Sequence, residues 1–178
     1  MAFQDDFTKL PKDILVARIN NDNVVNNAAL TSAMLTFGLP TAATGGTATR
    51  NTDLSLTAVA GSGYTGSVTV HYNRVDLSTV PGSRSTVFPL GSASKISDLI
   101  PTINAAYVIN MQPEDYVDGP LPTFTGQPNE THDFSLTANA DSFVWINTLT
   151  LTVHGNDVPL SSVVTNQTLN GLTYTQPA

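Results

Sequence analysis

The chain contains no cysteine. That excludes disulfides and thiolate-held metals, and it lets the protein mature in a reducing cytosol. Charge is scarce too: only 12% of the 178 residues are Asp, Glu, Lys or Arg, about half the usual share. The seven basic residues, Lys9, Lys12, Arg18, Arg50, Arg74, Arg84 and Lys95, are scattered along a chain of formal net charge −7. Phosphate backbones are bound by clustered Lys and Arg, so no nucleic-acid partner is expected. No run approaches the about 20 apolar residues of a membrane-spanning helix, so no membrane partner is expected. The opening residues, MAFQDDFTKLPKD, carry acids where an export signal has a basic start and then an apolar run. A soluble protein that does not use the usual export route is expected.

Thr, Ser, Asn and Gly fill the gap left by charge, while 40% of the residues stay hydrophobic. Disordered chains combine low hydrophobicity with high net charge; this chain has the apolar material for a core. The length suits one domain, or one domain with a small appendage.

Leu10, Ile14, Leu15 and Ile19 recur at helical spacing. Asp6 or Thr8 is the expected cap, and Pro11 falls in the first turn, where its missing N–H costs nothing. Residues 1–38 are expected to form a helical arm, with a second short helix in SAMLTF capped by Thr31 and stopped at Gly38-Leu39-Pro40. The remainder, 39–178, is expected to be a β domain. TDLSLTAVA and GSVTVHYNRV alternate with a period of two and flank Gly61–Gly66, which predicts a hairpin. RSTVFPL reads as a further strand. A helical insertion is expected near 94–117: Ile96, Leu99, Ile100, Ile103 and Tyr107 share one face, and Ser97 as cap places Pro101 in the first turn. DFSLTANA, SFVWINTLTLTVHG, DVPLSSVV and NGLTYTQ read as strands, the last with Asn170-Gly171 as a turn. The fold expected is α+β with β dominant: a small antiparallel β-sandwich, Ig-like or jelly-roll-like, with an N-terminal helix and an inserted helix.

GSGYTG has the letters of a dinucleotide-binding loop. Such a loop leads from a strand into a helix, whose N-terminus holds the phosphate. Here SVTVHY follows, so Gly61–Gly66 is read as a turn. His71, His132 and His154 lack the spacing of a helical metal site and are read as solvent-facing. Glu114 and Asp115 follow Pro113 and are read as carboxylates offsetting a helix dipole; an acid–base pair or a calcium site is the alternative. No G-x-S-x-G elbow frames a serine. No catalytic residue, metal ligand or cofactor is nominated. Arg74 and Asp76 flank Val75 on one strand face, either as a structural ion pair or to meet opposite charges on a partner.

FGLPTA…RNTDLSLTAVAGSGYTGSVTVHYNRVDL, ISDLIPTINAAYVINMQPEDYVDG and LTANADSFVWINTLTLTV together resemble a domain of virion structural proteins of large tailed bacteriophages. The similarity runs from about Asn20 to Val153, and GSGYTGSVTVHYNRVDL and INAAY…PEDYVDG are its most specific blocks. The resemblance implies a particle component with a β-sandwich-like core and no catalytic activity. On that reading the protein is made in the bacterial host cytoplasm and resides in the virion. Its partners are other virion structural proteins, a major capsid protein or tail proteins, and further copies of itself. A capsid decoration or cementing role is favoured over a tail, neck or baseplate role. A carbohydrate- or receptor-binding module is the third reading, with Tyr64, Tyr116 and Trp145 as its aromatics, although Trp145 is expected in the core. The interface residues expected are Phe7, Leu10, Ile14 and Leu15 on the arm, with Tyr64, Arg74 and Asp76; the alternative for the arm is that it covers its own sheet.

Overall fold

The computed structural model describes residues 3–26, 29–44 and 50–165. Helix α1 spans Pro11–Asp22. Proline fits its first position because φ is already helical and that N–H has no helical acceptor. Leu10, in extended conformation, occupies the cap position without a side-chain bond. Asp6 and Thr8 do not cap the helix: Asp6 Oδ1 accepts the Thr8 amide at 3.1 Å and its hydroxyl at 2.6 Å, which satisfies Asp6 one turn too early.

SAMLTF is not a helix. Ser32–Met34 forms a single 3-10 turn, and strand β1, Leu35–Phe37, follows at once. Strand β3, Thr52–Ala58, supplies the partner: Leu35, Thr36 and Phe37 lie opposite Ala58, Thr57 and Leu56. A nonlocal ladder thus overrides the local helical reading. Strand β2, Thr41–Ala42, continues the same edge, with Thr41 opposite Asp53. Four steps from Phe37 to Thr41 answer three from Leu56 to Asp53, so one extra residue is taken up at Gly38-Leu39-Pro40 as a bulge.

Strand β4, Ser67–Tyr72, pairs antiparallel along the other side of β3. The expected hairpin is therefore present, and its loop turns through Gly61, Gly63 and Gly66 at φ 82°, 89° and 85°. Those angles favour glycine because an L side chain would crowd the backbone.

Strands β5 (Val75–Asp76), β6 (Val87–Pro89), β7 (Thr131–Thr137), β8 (Trp145–Ile146) and β9 (Thr148–His154) form two further sheets. β7 pairs antiparallel with β9, whereas β6 pairs with β9, and β5 with β8, in parallel. The antiparallel expectation holds for β1–β4 and for β7 with β9 only. Alternation along one strand carries no information on the direction of its neighbour.

Helix α2, Ile96–Tyr107, is the expected insertion, but it begins ahead of Ser97 and holds Pro101 inside. Its start is pinned from outside. The Ile96 amide donates to the Gly119 carbonyl and the Leu121 amide to the Ser94 carbonyl. Asp98 Oδ2 accepts the Ser94 and Lys95 amides, and Asp118 Oδ1 accepts the Ser97 amide at 2.8 Å. DVPLSSVV also departs from expectation: Leu160–Val163 is a short helix, α3. NGLTYTQ and its turn lie outside the described residues.

The main core packs Ile96, Leu99, Ile100, Ile103 and Tyr107 of α2 with Phe134 and Leu136 of β7, Leu149, Leu151 and Val153 of β9, and Trp145. A second cluster joins Leu15 to Leu54 and Leu56, with Ile19, Phe37, Val70 and Tyr72 packed around it. Each fully buried Leu or Val contributes about 1.5–3 kcal/mol. α1 serves both clusters, Ile14 in the first and Leu15 in the second. The boundary expected after residue 38 therefore does not separate two units, since it would cut β1 from β3 and Ile14 from the main core. The result is a small, strand-rich α+β fold with several sheets and few helices.

Candidate functional site

α1 and the β4–β5 segment enclose a groove of about 300 Å³. Its floor is apolar, with Phe7, Ile14, Leu15, Val75, Phe143 and Val144; Asp5, Arg18, Asp22, Arg50 and His71 stand around it. Phe7 lies against Trp145 with ring centroids 5.5 Å apart, which ties the chain ahead of α1 to the main core. Tyr72 donates its hydroxyl to the Phe143 carbonyl at 2.8 Å, and burial pushes its pKa up to about 12. It is a fixed donor in the wall, not an acid at neutral pH.

The charges of the rim are largely paired. Arg18 Nη2 and Nε donate to the two oxygens of Asp5 at 2.6 and 3.1 Å, the bidentate geometry that suits a guanidinium. Asp22 lies 3.8 Å away on the next helical turn, and Phe3 stacks on the guanidinium at 4.7 Å. The Asp5 hydrogen bond pushes the Arg18 pKa up. His71 Nδ1 is 2.6 Å from Asp53 Oδ1 across the β3–β4 ladder, and that bond lowers the Asp53 pKa. The groove thus offers an apolar floor inside a rim whose charges mostly face one another.

The residues expected at an interface separate into three places. Phe7, Ile14 and Leu15 line the groove, and Ile14 and Leu15 are buried within the chain, so α1 covers its own sheet. Leu10 is half exposed, outside the groove. Tyr64 is exposed in the hairpin loop. Arg74 and Asp76 do not pair with each other. Arg74 donates to Thr52 Oγ1 at 3.0 Å and to the Ala140 and Ser142 carbonyls at 2.9 and 3.1 Å. Asp76 accepts from Ser78 and from Asn147 Nδ2, capping the 3-10 turn Leu77–Thr79. The structure starts β5 only at Val75, after Arg74, and the two diverge because each finds neutral partners elsewhere in the chain.

Other polar side chains close bonds that the sequence does not announce. Asp115 accepts the Gln112 amide, as a capping carboxylate does, but it is fully buried and also accepts the Ser142 hydroxyl. Glu130 faces His132 Nε2 and collects the Thr125, Gly126 and Gln127 amides; the His132 bond first, then those from Thr125 and Gln127, hold its pKa down at about 2. His71 is exposed, as expected, and His132 and His154 are part-exposed; what the sequence did not announce is that His71 and His132 also face carboxylates, Asp53 and Glu130. Alternation places these residues on the correct strand face, but only the adjoining strand or loop brings the acid. Trp145 is buried, as expected, and so is Tyr116, which leaves Tyr64 as the one exposed ring of the three aromatics proposed for sugar binding. Among the described residues no group of three or more His, Asp or Glu converges as a metal site, and no helix is long and apolar enough to cross a membrane.

The fold is a small strand-rich α+β one, and its candidate site is a helix–strand groove with an apolar floor. Residues 5–178 match a family described as one of unknown function, DUF7941, and the chain belongs to it. No curated protein and no solved structure matches the chain.

Proposed function

We propose that the protein is a non-enzymatic structural component of a tailed-phage virion, a decoration or cementing protein of the capsid. It is made in the bacterial host cytoplasm, and its partners are other virion structural proteins and further copies of itself. We infer the finer architecture, an Ig-like or jelly-roll-like sandwich, as part of the same reading; the inward-facing rows of β3 and of β7 with β9 support it.

The observation that carries the proposal is where the polar side chains spend their bonds. Asp115, Ser142, Arg74, Glu130, Asp98 and Asp118 each close a link inside the chain. Meanwhile Val25, Leu39, Val68 and Val108 remain more than half exposed. Contact across subunits gains about 25 cal/mol per Å² of apolar area, before the costs of association. Many copies turn a modest contact into a stiff shell. Quantitative mass spectrometry of purified particles, with heads and tails separated, tests the reading. Presence in heads at a copy number comparable to the major shell protein is expected. Absence from finished particles would overturn the reading, and a copy number fitting a single ring would move the protein to the tail or neck.

A further inference from the structure

Strand β4 has β3 on one side, and among the described residues no strand pairs with its other side. The parity of the ladder shows which groups are left over. The Ala58 amide donates to the Gly66 carbonyl at 2.9 Å, and the Gly38 amide to the Ser55 carbonyl on the opposite side of β3. In the register of β3 with β4, Gly66, Val68, Val70 and Tyr72 therefore turn their backbone groups toward β3. Ser67, Thr69 and His71 turn theirs outward, because bonding direction alternates along an antiparallel strand. Natural sheets protect such edges with Lys, Pro or bulges. The β1–β2 edge carries a bulge and Pro40; Ser67–Tyr72 has no Lys, Arg, Asp, Glu, Pro or Gly.

We propose that the outward edge of β4 pairs antiparallel with β4 of a second copy of this chain, about a two-fold axis through Thr69. This names a contact for the homo-oligomer in the reading above, and its test on isolated protein can fail without touching the particle test. A two-fold axis at an outward-facing residue sets every other pair. Thr69 meets Thr69, Ser67 meets His71, and about six backbone hydrogen bonds form. No like charges oppose each other, so a chain of net charge −7 is joined where it is neutral. On the α1 side of the sheet, Val68, 58% exposed, falls opposite Val70 of the second copy, the close non-bonded type of pair that favours β-branched side chains.

The two ends of β4 support a second copy rather than an unrelated strand. At one end the hairpin loop presents the exposed ring of Tyr64. At the other end His71, Tyr72 and Asn73 border the groove. Antiparallel pairing about Thr69 brings the hairpin-loop end of one copy, which carries Tyr64, toward the Tyr72 end of the other. Protrusion and cavity lie at opposite ends of one strand, as a self-complementary two-fold interface requires.

The absence of native cysteine makes the register directly testable. Thr69→Cys places two thiols on the axis, with Cα atoms about 5.5 Å apart, within the about 4.4–6.8 Å that a disulfide spans. Ser67→Cys places them four residues apart, about 14 Å at about 3.4 Å per residue, beyond reach. Under mild oxidation T69C is expected to run as a covalent dimer and S67C as a monomer. By sedimentation the unmodified protein is expected to dimerise; Val68→Lys and Tyr64→Ala are each expected to weaken dimerisation by at least about tenfold, with unchanged circular dichroism. Val68 and Tyr64 are exposed, so both variants are expected to fold. A protein that stays monomeric at millimolar concentration with T69C uncrosslinked would overturn the proposal. So would equal crosslinking of S67C and T69C.

Discussion

Ser142 donates its hydroxyl to Asp115 at 2.6 Å across 27 positions of sequence, and neither residue is exposed. The same hydroxyl oxygen accepts the Trp145 amide at 3.1 Å. A turn after α2 is thereby fastened to the segment that inserts the one tryptophan into the core. Burial pushes the Asp115 pKa up, although the Ser142 and Gln112 bonds oppose that. Removing either partner leaves the other buried and short of a bond, which costs about 1–3 kcal/mol. Asp115→Ala and Ser142→Ala are each expected to lose stability in that range by urea unfolding. Their double variant is expected to lose less than the two together, since the shared bond can be lost only once. Strict additivity would show that the pair is not coupled.

Ile14 and Leu15 sit inside two different clusters, and Leu10 sits outside both. Ile14→Ala and Leu15→Ala are expected to cost about 2–5 kcal/mol each. Leu10→Ala is expected to stay within about 0.5 kcal/mol, the usual range at the surface. Chemical denaturation of the three variants checks this. Near-neutral results at Ile14 and Leu15 would mean that α1 is an arm after all, detached from the core.

Val108 ends α2 at φ 58°, ψ 50°. A left-handed residue with a Cβ costs roughly 1–2 kcal/mol, and the valine side chain is more than half exposed, so packing returns little. Val108→Gly is expected to raise stability by about 1 kcal/mol, reduced somewhat by the greater freedom of glycine in the unfolded chain. A higher Tm is the readout; a lower one would mean that Val108 makes a contact worth more than its strain.

Glu130 gathers several amide donors and a histidine in the loop before β7. Its pKa falls from 4.5 to about 2 on folding. A depressed carboxyl stabilises the fold above its unfolded pKa, and that contribution is lost as pH falls through the folded value. The stability difference between the protein and Glu130→Gln is therefore expected to be constant above pH about 4.5 and to shrink toward pH about 2. Denaturant melts across that window measure it. A difference that stays level would remove Glu130 from the acid response. Asp115 has the opposite sign: its pKa is raised, so its contribution is largest below 3.8 and is lost as pH rises through the folded value.

The β3–β4 hairpin was legible because both of its signals are local, a period of two on each side and glycines between. The apolar face of α2 was legible for the same reason. Pro101 misled because proline is read by its cost inside a helix, whereas the start of α2 is pinned by Gly119 and Asp118, some 20 residues on. SAMLTF misled because a short apolar run fits either period, and only β3 decides between them. Of the groove, the apolar side of α1 could be read from spacing; that it faces β4 could not.

What the chain determines by itself is therefore what lies within a few residues: turns at glycine, alternation in strands, one apolar stripe per helix, a nearly uncharged edge at β4. What only the tertiary structure decided is partnership. It set the parallel pairing of β6 with β9, the divergence of Arg74 from Asp76, and the burial of Asp115 on Ser142. The reason is physical: hydrogen bonds and burial reward whichever groups arrive together in space, and folding brings together groups that the chain keeps far apart.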